Sequence, residues 1–277
     1  MNTEMGGHDT ETLGIFTINV PHILEKIFFY LDYESYKKCY KVNSTWYELL
    51  TSDSYQKKAK AVFCEDIWED EDKLWSAATY GNISGVKSLL HPLVDVNCVR
   101  GSYIKSTPLI EAARSSKFGH NIVVQMLLDK GANPNKEDEN GLAPLQYGLA
   151  ACSVNKNLTT VKALLDAGAD PNVGWHSLWY TVFFGNKVRN DVVKVLLDAG
   201  ADPNKRDETG DTPLHTAAKY SYKDVIKVLL DGGADPYVAK NDGNTPLDIA
   251  RQQGPHMWFD FVVLAGFLGP FTRNKIL

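Results

Sequence analysis

The residues able to do covalent or metal chemistry are scattered along this sequence. Seven histidines (His8, His22, His91, His120, His176, His215 and His256) show no ligand-pair spacing, and four cysteines (Cys39, Cys64, Cys98 and Cys152) lie far apart with no C-x-x-C pair. A zinc site or a disulfide framework would need them grouped. No glycine-rich phosphate loop, no H-E-x-x-H and no G-x-S-x-G occurs in a suitable context. Nothing sets a nucleophile beside a base. One group of acids does recur at regular intervals: Asp129, Asp166, Asp198 and Asp231. That pacing marks copies of one turn, not a general acid–base dyad. The expectation is a non-catalytic protein with no cofactor and no resident metal, and the phased acids direct attention to the elements that carry them.

Each of these acids lies in one phrase, LLDxGA[DN]P[NY], at 127–135, 164–172, 196–204 and 229–237. The shared glycines Gly131, Gly168, Gly200 and Gly233 are 37, 32 and 33 residues apart. A second phrase alternates with the first: Thr107-Pro108-Leu109, Ala143-Pro144-Leu145, Thr212-Pro213-Leu214-His215 and Thr245-Pro246-Leu247. Thr212 is suited to cap a helix whose first turn accepts Pro213, because that turn has no use for the missing N–H. Ala217 and Ala218 give a small-residue face for close stacking. Val225, Val228, Leu229 and Leu230 form the apolar stripe of a second helix. Gly233 can take the left-handed conformation that ends it, and Asp235-Pro236 opens the next turn. One such unit cannot bury its own apolar face, whereas a stack can.

Two phrases recurring in phase at a period of about 33 residues resemble the ankyrin repeat. Weaker copies extend the array. Leu74 to Ala78 with Val86, Leu89 and Leu90 reads as a first repeat, and Thr245 to Gly254 with Trp258 to Phe267 reads as a terminal one. The resemblance implies an ankyrin-repeat solenoid over 73–277, with about five repeats plus a C-terminal cap. It also implies that His215 ties backbone turns together instead of catalysing.

The first fifth of the chain carries neither phrase. Val20-Pro21-His22-Ile23-Leu24-Glu25-Lys26-Ile27-Phe28-Phe29-Tyr30-Leu31-Asp32 puts apolar residues 23, 24, 27, 28 and 31 on one helical face, and Cys39, Val42, Trp46 and Leu49 follow in shorter amphipathic pieces. This segment resembles an F-box, three packed helices with an L-P-x-E-[IL]-L-x-x-I-F-x-[YH]-L signature and a later V-C-x-x-W. It departs from that pattern at Pro21, one residue nearer Ile27 than usual, at His22 in the Glu position, at Tyr36 in a Leu position and at Asn43 in a Cys position. The resemblance implies an all-α chain: a disordered 1–14, an F-box helical bundle with a following helix over 15–64, and then the solenoid. Between them, 65–72 holds six acids in eight residues with Ile67 and Trp68 among them. This acidic joint is expected to be pinned by packing of Trp68.

An F-box ahead of a recognition array is the architecture of substrate receptors in SCF-type cullin–RING ubiquitin ligases. By that resemblance Val20, Pro21, Ile23, Leu24, Ile27 and Leu31 would dock the ligase adaptor, and through it a cullin, while the ankyrin groove would hold an unidentified target protein. The alternative is an ankyrin scaffold with a degenerate F-box and no ligase role. The net charge of −5, from 29 basic and 34 acidic side chains, argues against a nucleic-acid partner. The longest apolar run, 257–268, is about half the ~20 residues needed to span a bilayer. A soluble monomer within a larger complex is expected, in the cytoplasm with the nucleus also open.

In ankyrin arrays the variable positions include the inner face of each first helix. Carried over, these are Thr79 and Tyr80, Arg114 and Ser115, Ala150 and Ala151, Phe183 and Phe184, Lys219 and Tyr220, then Gln252 and Gln253. The fourth repeat stands out. Its finger, Gly168 to Leu178, is four residues shorter than the others, and the second, third and fourth repeats carry three or four extra residues between their helices. The target-binding residues expected are therefore Trp175, Trp179, Phe183 and Phe184, lining a notch in the row of fingers, with Arg114, Lys219 and Tyr220 as a polar rim.

Overall fold

The structure is a computed structural model that describes residues 34, 37, 56–57, 59, 63–100, 105–115, 117, 119–155, 158–173, 177–184, 189–264 and 266. The adaptor-docking residues Val20, Pro21, Ile23, Leu24, Ile27 and Leu31, and Trp175 of the expected target site, lie outside them. From Cys64 onward the described residues form twelve helices: α1 Cys64–Tyr80, α2 Ile83–Leu89, α3 Pro108–Arg114, α4 His120–Asp129, α5 Pro144–Asn155, α6 Thr159–Asp166, α7 Ser177–Phe184, α8 Arg189–Asp198, α9 Pro213–Lys219, α10 Lys223–Asp231, α11 Pro246–Gln252 and α12 Pro255–Leu264. The only extended pairing among these residues is one isolated antiparallel bridge, Arg100 with Ser106. The chain divides into two compact units, Met1–Glu71 with His91–Asp95, and Asp72–Leu90 with Val96–Leu277.

The acidic stretch is helical, part of α1. Its Ile67 is buried, whereas Trp68, the residue expected to pin the stretch, is 60% exposed. Asp70 is buried too; its Oδ2 accepts from Lys37 Nζ at 3.2 Å and lies 3.3 Å from His91 Nε2. A buried carboxylate needs such partners.

The second unit is a double row of helices. The first helices of successive repeats pack on one another in order, α3 on α5, α5 on α7, α7 on α9 and α9 on α11; in the second-helix row α2 packs on α4, α4 on α6, α8 on α10 and α10 on α12. Each first helix also packs on its own partner, as α9 does on α10. Leu214, Ala217, Ala218 and Leu229 are wholly buried and Val225 nearly so, as the sequence predicts, but Ile226, outside the predicted stripe, is wholly buried too, while Val228 and Leu230 are half-buried. Gly148 has α6 so close that an added Cβ would lie 3.3 Å from a Leu164 methyl. Gly233 ends α10 at φ +88°, the left-handed region that glycine enters without strain.

Two braces repeat along this stack. Thr212 Oγ1 caps α9, and His215 Nδ1 accepts from the Thr212 N–H at 3.1 Å while Nε2 sits 3.1 Å from the Asn244 carbonyl of the next repeat. That carbonyl can only accept, so Nε2 carries the proton and donates. Burial holds the imidazole below its ordinary pKa, against the opposing pull of the Asn244 bond. In the third repeat Gln146 makes the same two connections: Oε1 accepts from Ala143 N–H at 2.9 Å and Nε2 donates to the Val173 carbonyl at 2.8 Å. The second brace is an asparagine ladder at the fingers. Asn97, Asn135, Asn172 and Asn204 each accept, through Oδ1, the backbone N–H of Asn133, Asp170, Asp202 and Asp235, at 2.7–2.9 Å. Each returns an Nδ2 bond to the carbonyl of Gly131, Gly168, Gly200 or Gly233.

Candidate functional site: an aromatic face on the first-helix row

Helix α7 is the most apolar first helix, SLWYTVFF, and one turn of helix sets how its rings meet. Residues four apart share a face. Trp179 and Phe183 therefore stack, with centroids 5.0 Å apart and planes within 9°, and Tyr180 and Phe184 meet at 4.8 Å. Phe183 is the junction. It meets Phe184 edge-on at 4.6 Å and, across the repeat boundary, Tyr220 edge-on at 5.6 Å. Tyr220 in turn stacks on Tyr222 at 5.7 Å. Offset and edge-on contacts of this kind contribute about 0.5–1.5 kcal/mol each beyond burial.

The cluster is part core and part surface. Leu178, Thr181 and Val182 are buried, Trp179, Tyr180 and Phe183 are half-buried, and Phe184 and Tyr220 are 54% and 41% exposed. Thr181 and Val182 occupy the place of the Ala-Ala pair, and Thr181 Oγ1 donates to the Ser177 carbonyl at 2.8 Å, so its hydroxyl is satisfied inside the helix. The Trp179 indole N–H is out of solvent and finds no acceptor among the described residues.

Of the residues expected to bind a target, Trp179, Phe183, Phe184 and Tyr220 come together in one ring cluster, with Lys219 Nζ 5.7 Å from the Tyr220 centroid. Arg114 is placed elsewhere. Its Nη2 lies 3.3 Å from Glu111 of its own helix, and its guanidinium sits 4.7 Å over Tyr147 in α5. Glu111 is buried and accepts from Ser106 Oγ at 2.6 Å; Tyr147 Oη donates to Asp138 at 2.6 Å. Burial, then the Asp138 bond, raises the Tyr147 pKa, so the phenol keeps its proton and donates.

Of the expected pair Ala150 and Ala151, the first is half-buried. Helix α5 continues for twelve residues, and Ala151 is buried. The extra residues of this repeat form a further helical turn instead of a loop, and that turn carries Val154 out to 74% exposure. The sequence reading also passed over Tyr180, Tyr222 and Tyr147. The signal for Tyr180 was available, since it precedes Phe184 by four residues.

Comparison with known proteins decides what this array is. The family of ankyrin repeats (3 copies) matches residues 74–174 and 178–262. The chain belongs to the ankyrin-repeat family. An ankyrin repeat domain from Acinetobacter baumannii AYE is 26% identical, with a TM-score of 0.60, over 70% of this chain and 97% of that one. The ankyrin repeat protein EF0377 is 23% identical with a TM-score of 0.59, over 72% and 98% of the two chains. A chain from the complex of the predatory endopeptidase Bd0816 of Bdellovibrio bacteriovorus with the immunity protein Bd3460 is 23% identical with a TM-score of 0.55, over 69% and 97%. The last two show shared fold. Comparison with curated proteins gives no match. Among the described residues of this ankyrin chain, no group of His, Cys, Asp or Glu could hold a metal ion, and no helix is long and apolar enough to cross a membrane.

Proposed function

We propose that this ankyrin-repeat chain is a non-catalytic recognition subunit that holds a target protein on its first-helix row, with residues 15–64 serving as an F-box that docks an SCF-type ligase adaptor and, through it, a cullin. The observation that carries target binding is the ring cluster ending in exposed Phe184 and Tyr220. Soluble proteins seldom keep such side chains on a contiguous surface without a partner. The ligase role rests on the F-box resemblance of Val20 to Leu31 and Cys39 to Trp46. In that role the subunit does no chemistry. It raises the effective concentration of target lysines near the charged conjugating enzyme.

Affinity purification of the full chain, probed for the F-box adaptor and cullin, tests the ligase role. Both should be recovered with the native chain and lost with the Pro21→Ala/Leu24→Ala variant. A folded variant that recovers the adaptor as well as the native chain does would overturn the docking role of those residues. The second reading is an ankyrin scaffold with a degenerate F-box. It is favoured by His22 and Asn43, which stand where the F-box pattern has Glu and Cys. It requires that neither adaptor nor cullin co-purify with the native chain while the target still does.

A further inference from the structure

We propose that the first-helix face from α5 to α11 binds an extended acidic protein segment carrying one large apolar side chain. This rests on the target-binding reading above and adds the chemistry of the ligand.

Charge complementarity decides the sign. Five first helices, α3, α5, α7, α9 and α11, hold two carboxylates between them, Glu111 and Asp248. Neither is offered to a ligand. Glu111 is buried against Ser106 and Arg114, and Asp248 accepts from the Thr245 N–H and hydroxyl in its capping box. Those bonds hold the Asp248 carboxyl below its usual pKa, so it stays an acceptor committed to the cap. The cations on the same helices stand at their last turns: Arg114, Lys219 and Arg251. Lys219 and Arg251 are exposed, and they lean over the Tyr220 and Trp258 rings at 5.7 and 5.9 Å. A helix C-terminus favours a cation, which accounts for their position. The acids Asp191 and Asp224 sit in the first turns of α8 and α10, in the second-helix row. From α3 to α11 the first-helix row thus offers a ligand no uncommitted carboxylate, and beside the rings it offers the two exposed cations Lys219 and Arg251, in a chain whose net charge is −5.

Geometry sets the length. From Val154 on α5 to Arg251 on α11 are three steps between packed neighbours. At about 8–10 Å per step this is roughly 24–30 Å. An extended chain at ~3.3 Å per residue covers it with about eight residues. Phe184, near the middle of that line, is the natural seat for the apolar side chain, with carboxylates reaching Lys219 and Arg251 on one side.

The full chain should be used to select binders from random peptides of about twelve residues, longer than that span. The enriched peptides are then synthesised with a fluorescent label and measured by anisotropy. Acidic peptides with one aromatic or leucine side chain are expected. Phe184→Ser should weaken them at least about tenfold, as an interface hot spot does. Lys219→Glu/Arg251→Glu should weaken them by a similar factor, and added salt should weaken the native complex by screening. Circular dichroism checks that these surface variants fold; Phe184→Ala and Lys219→Gln/Arg251→Gln are the milder replacements. Peptides that depend on Phe184 but carry no acidic bias, or ignore the charge reversal, overturn this inference and leave the target-face reading standing. No enrichment, or binders indifferent to Phe184, overturns both. A labelled oligothymidine strand is the counter-probe, and displacement of the selected peptide by it would overturn the inference in favour of nucleic acid.

Discussion

In the fifth repeat Thr212 caps α9 and His215 bridges onward to Asn244; in the third, Ala143 stands where the threonine would and Gln146 makes both of the histidine's backbone bonds. The two repeats keep the same brace with different chemistry. What the stack requires is one acceptor facing back to its own helix start and one donor facing forward to the next repeat. Away from that brace they diverge. Helix α9 ends after seven residues, but α5 runs for twelve and displays Val154. The fourth repeat goes further and replaces the small pair by Thr181 and Val182 beneath a layer of rings. Variation is concentrated on the side of the first helices that the stack does not use.

The largest effect should separate core from added turn. Leu214 is fully buried in the regular repeat, so Leu214→Ala should destabilise the array by about 2–5 kcal/mol. Val154→Ala, on the added turn, should change stability by less than about 0.5 kcal/mol. Urea unfolding of the full chain measures both. Equal losses would mean that the extra turn of α5 is core after all.

An intermediate effect comes from exchanging the caps. Thr212→Ala copies the third repeat and removes the side-chain acceptor that α9 uses, at a cost of about 1 kcal/mol. Ala143→Thr supplies α5 with the missing cap and should add up to about 1 kcal/mol to stability. Opposite shifts in the unfolding midpoint are expected. Shifts of one sign would show that Gln146 already does all that a threonine could do at α5.

The smallest effect is a pH dependence present in one repeat and absent from the other. His215 is held neutral in the fold, below its ordinary value of 6.5. The unfolded chain therefore binds a proton at this site first, and stability is full above about pH 6.5 and declines as the pH falls below it. Gln146 does not titrate. His215→Gln should retain the brace while flattening this part of the profile, read as the difference between the two proteins' melting temperatures at pH 7.5 and pH 5.5. An unchanged difference would place the acid sensitivity elsewhere.

The repeats were legible because each phrase names its own physics: Thr-Pro starts a helix, Leu-Leu buries one, and Gly ends it. The first half of α1 was hidden, although Leu74 to Ala78 was legible. Its buried positions run Ile67, Asp70, Leu74, Ala77 and Ala78, at helical spacing, but an acid fills one slot and two further acids follow it. Read as polar, Asp70 breaks the stripe, and its pairing with Lys37 and His91 helps to explain its burial. The extra turn of α5 was misread for a related reason, since Ala150 to Val154 has no charge to mark which side faces out. The ring cluster was foreseen as a set of residues, but not its division: sequence spacing pairs Trp179 with Phe183, and only the stack decides that Phe184 remains outside.

The asparagine ladder also fixes where the array can lengthen. Every rung needs an asparagine behind it and a free backbone N–H ahead, and the row closes at Tyr237, which fills the asparagine position of the last finger. A duplicated unit inserted between any two of the earlier fingers would arrive with its own rung and receive one from its neighbour. A unit appended after Tyr237 would find none. A copied unit in the middle of the array therefore keeps every rung, whereas one that follows Tyr237 gains its rung only with Tyr237→Asn.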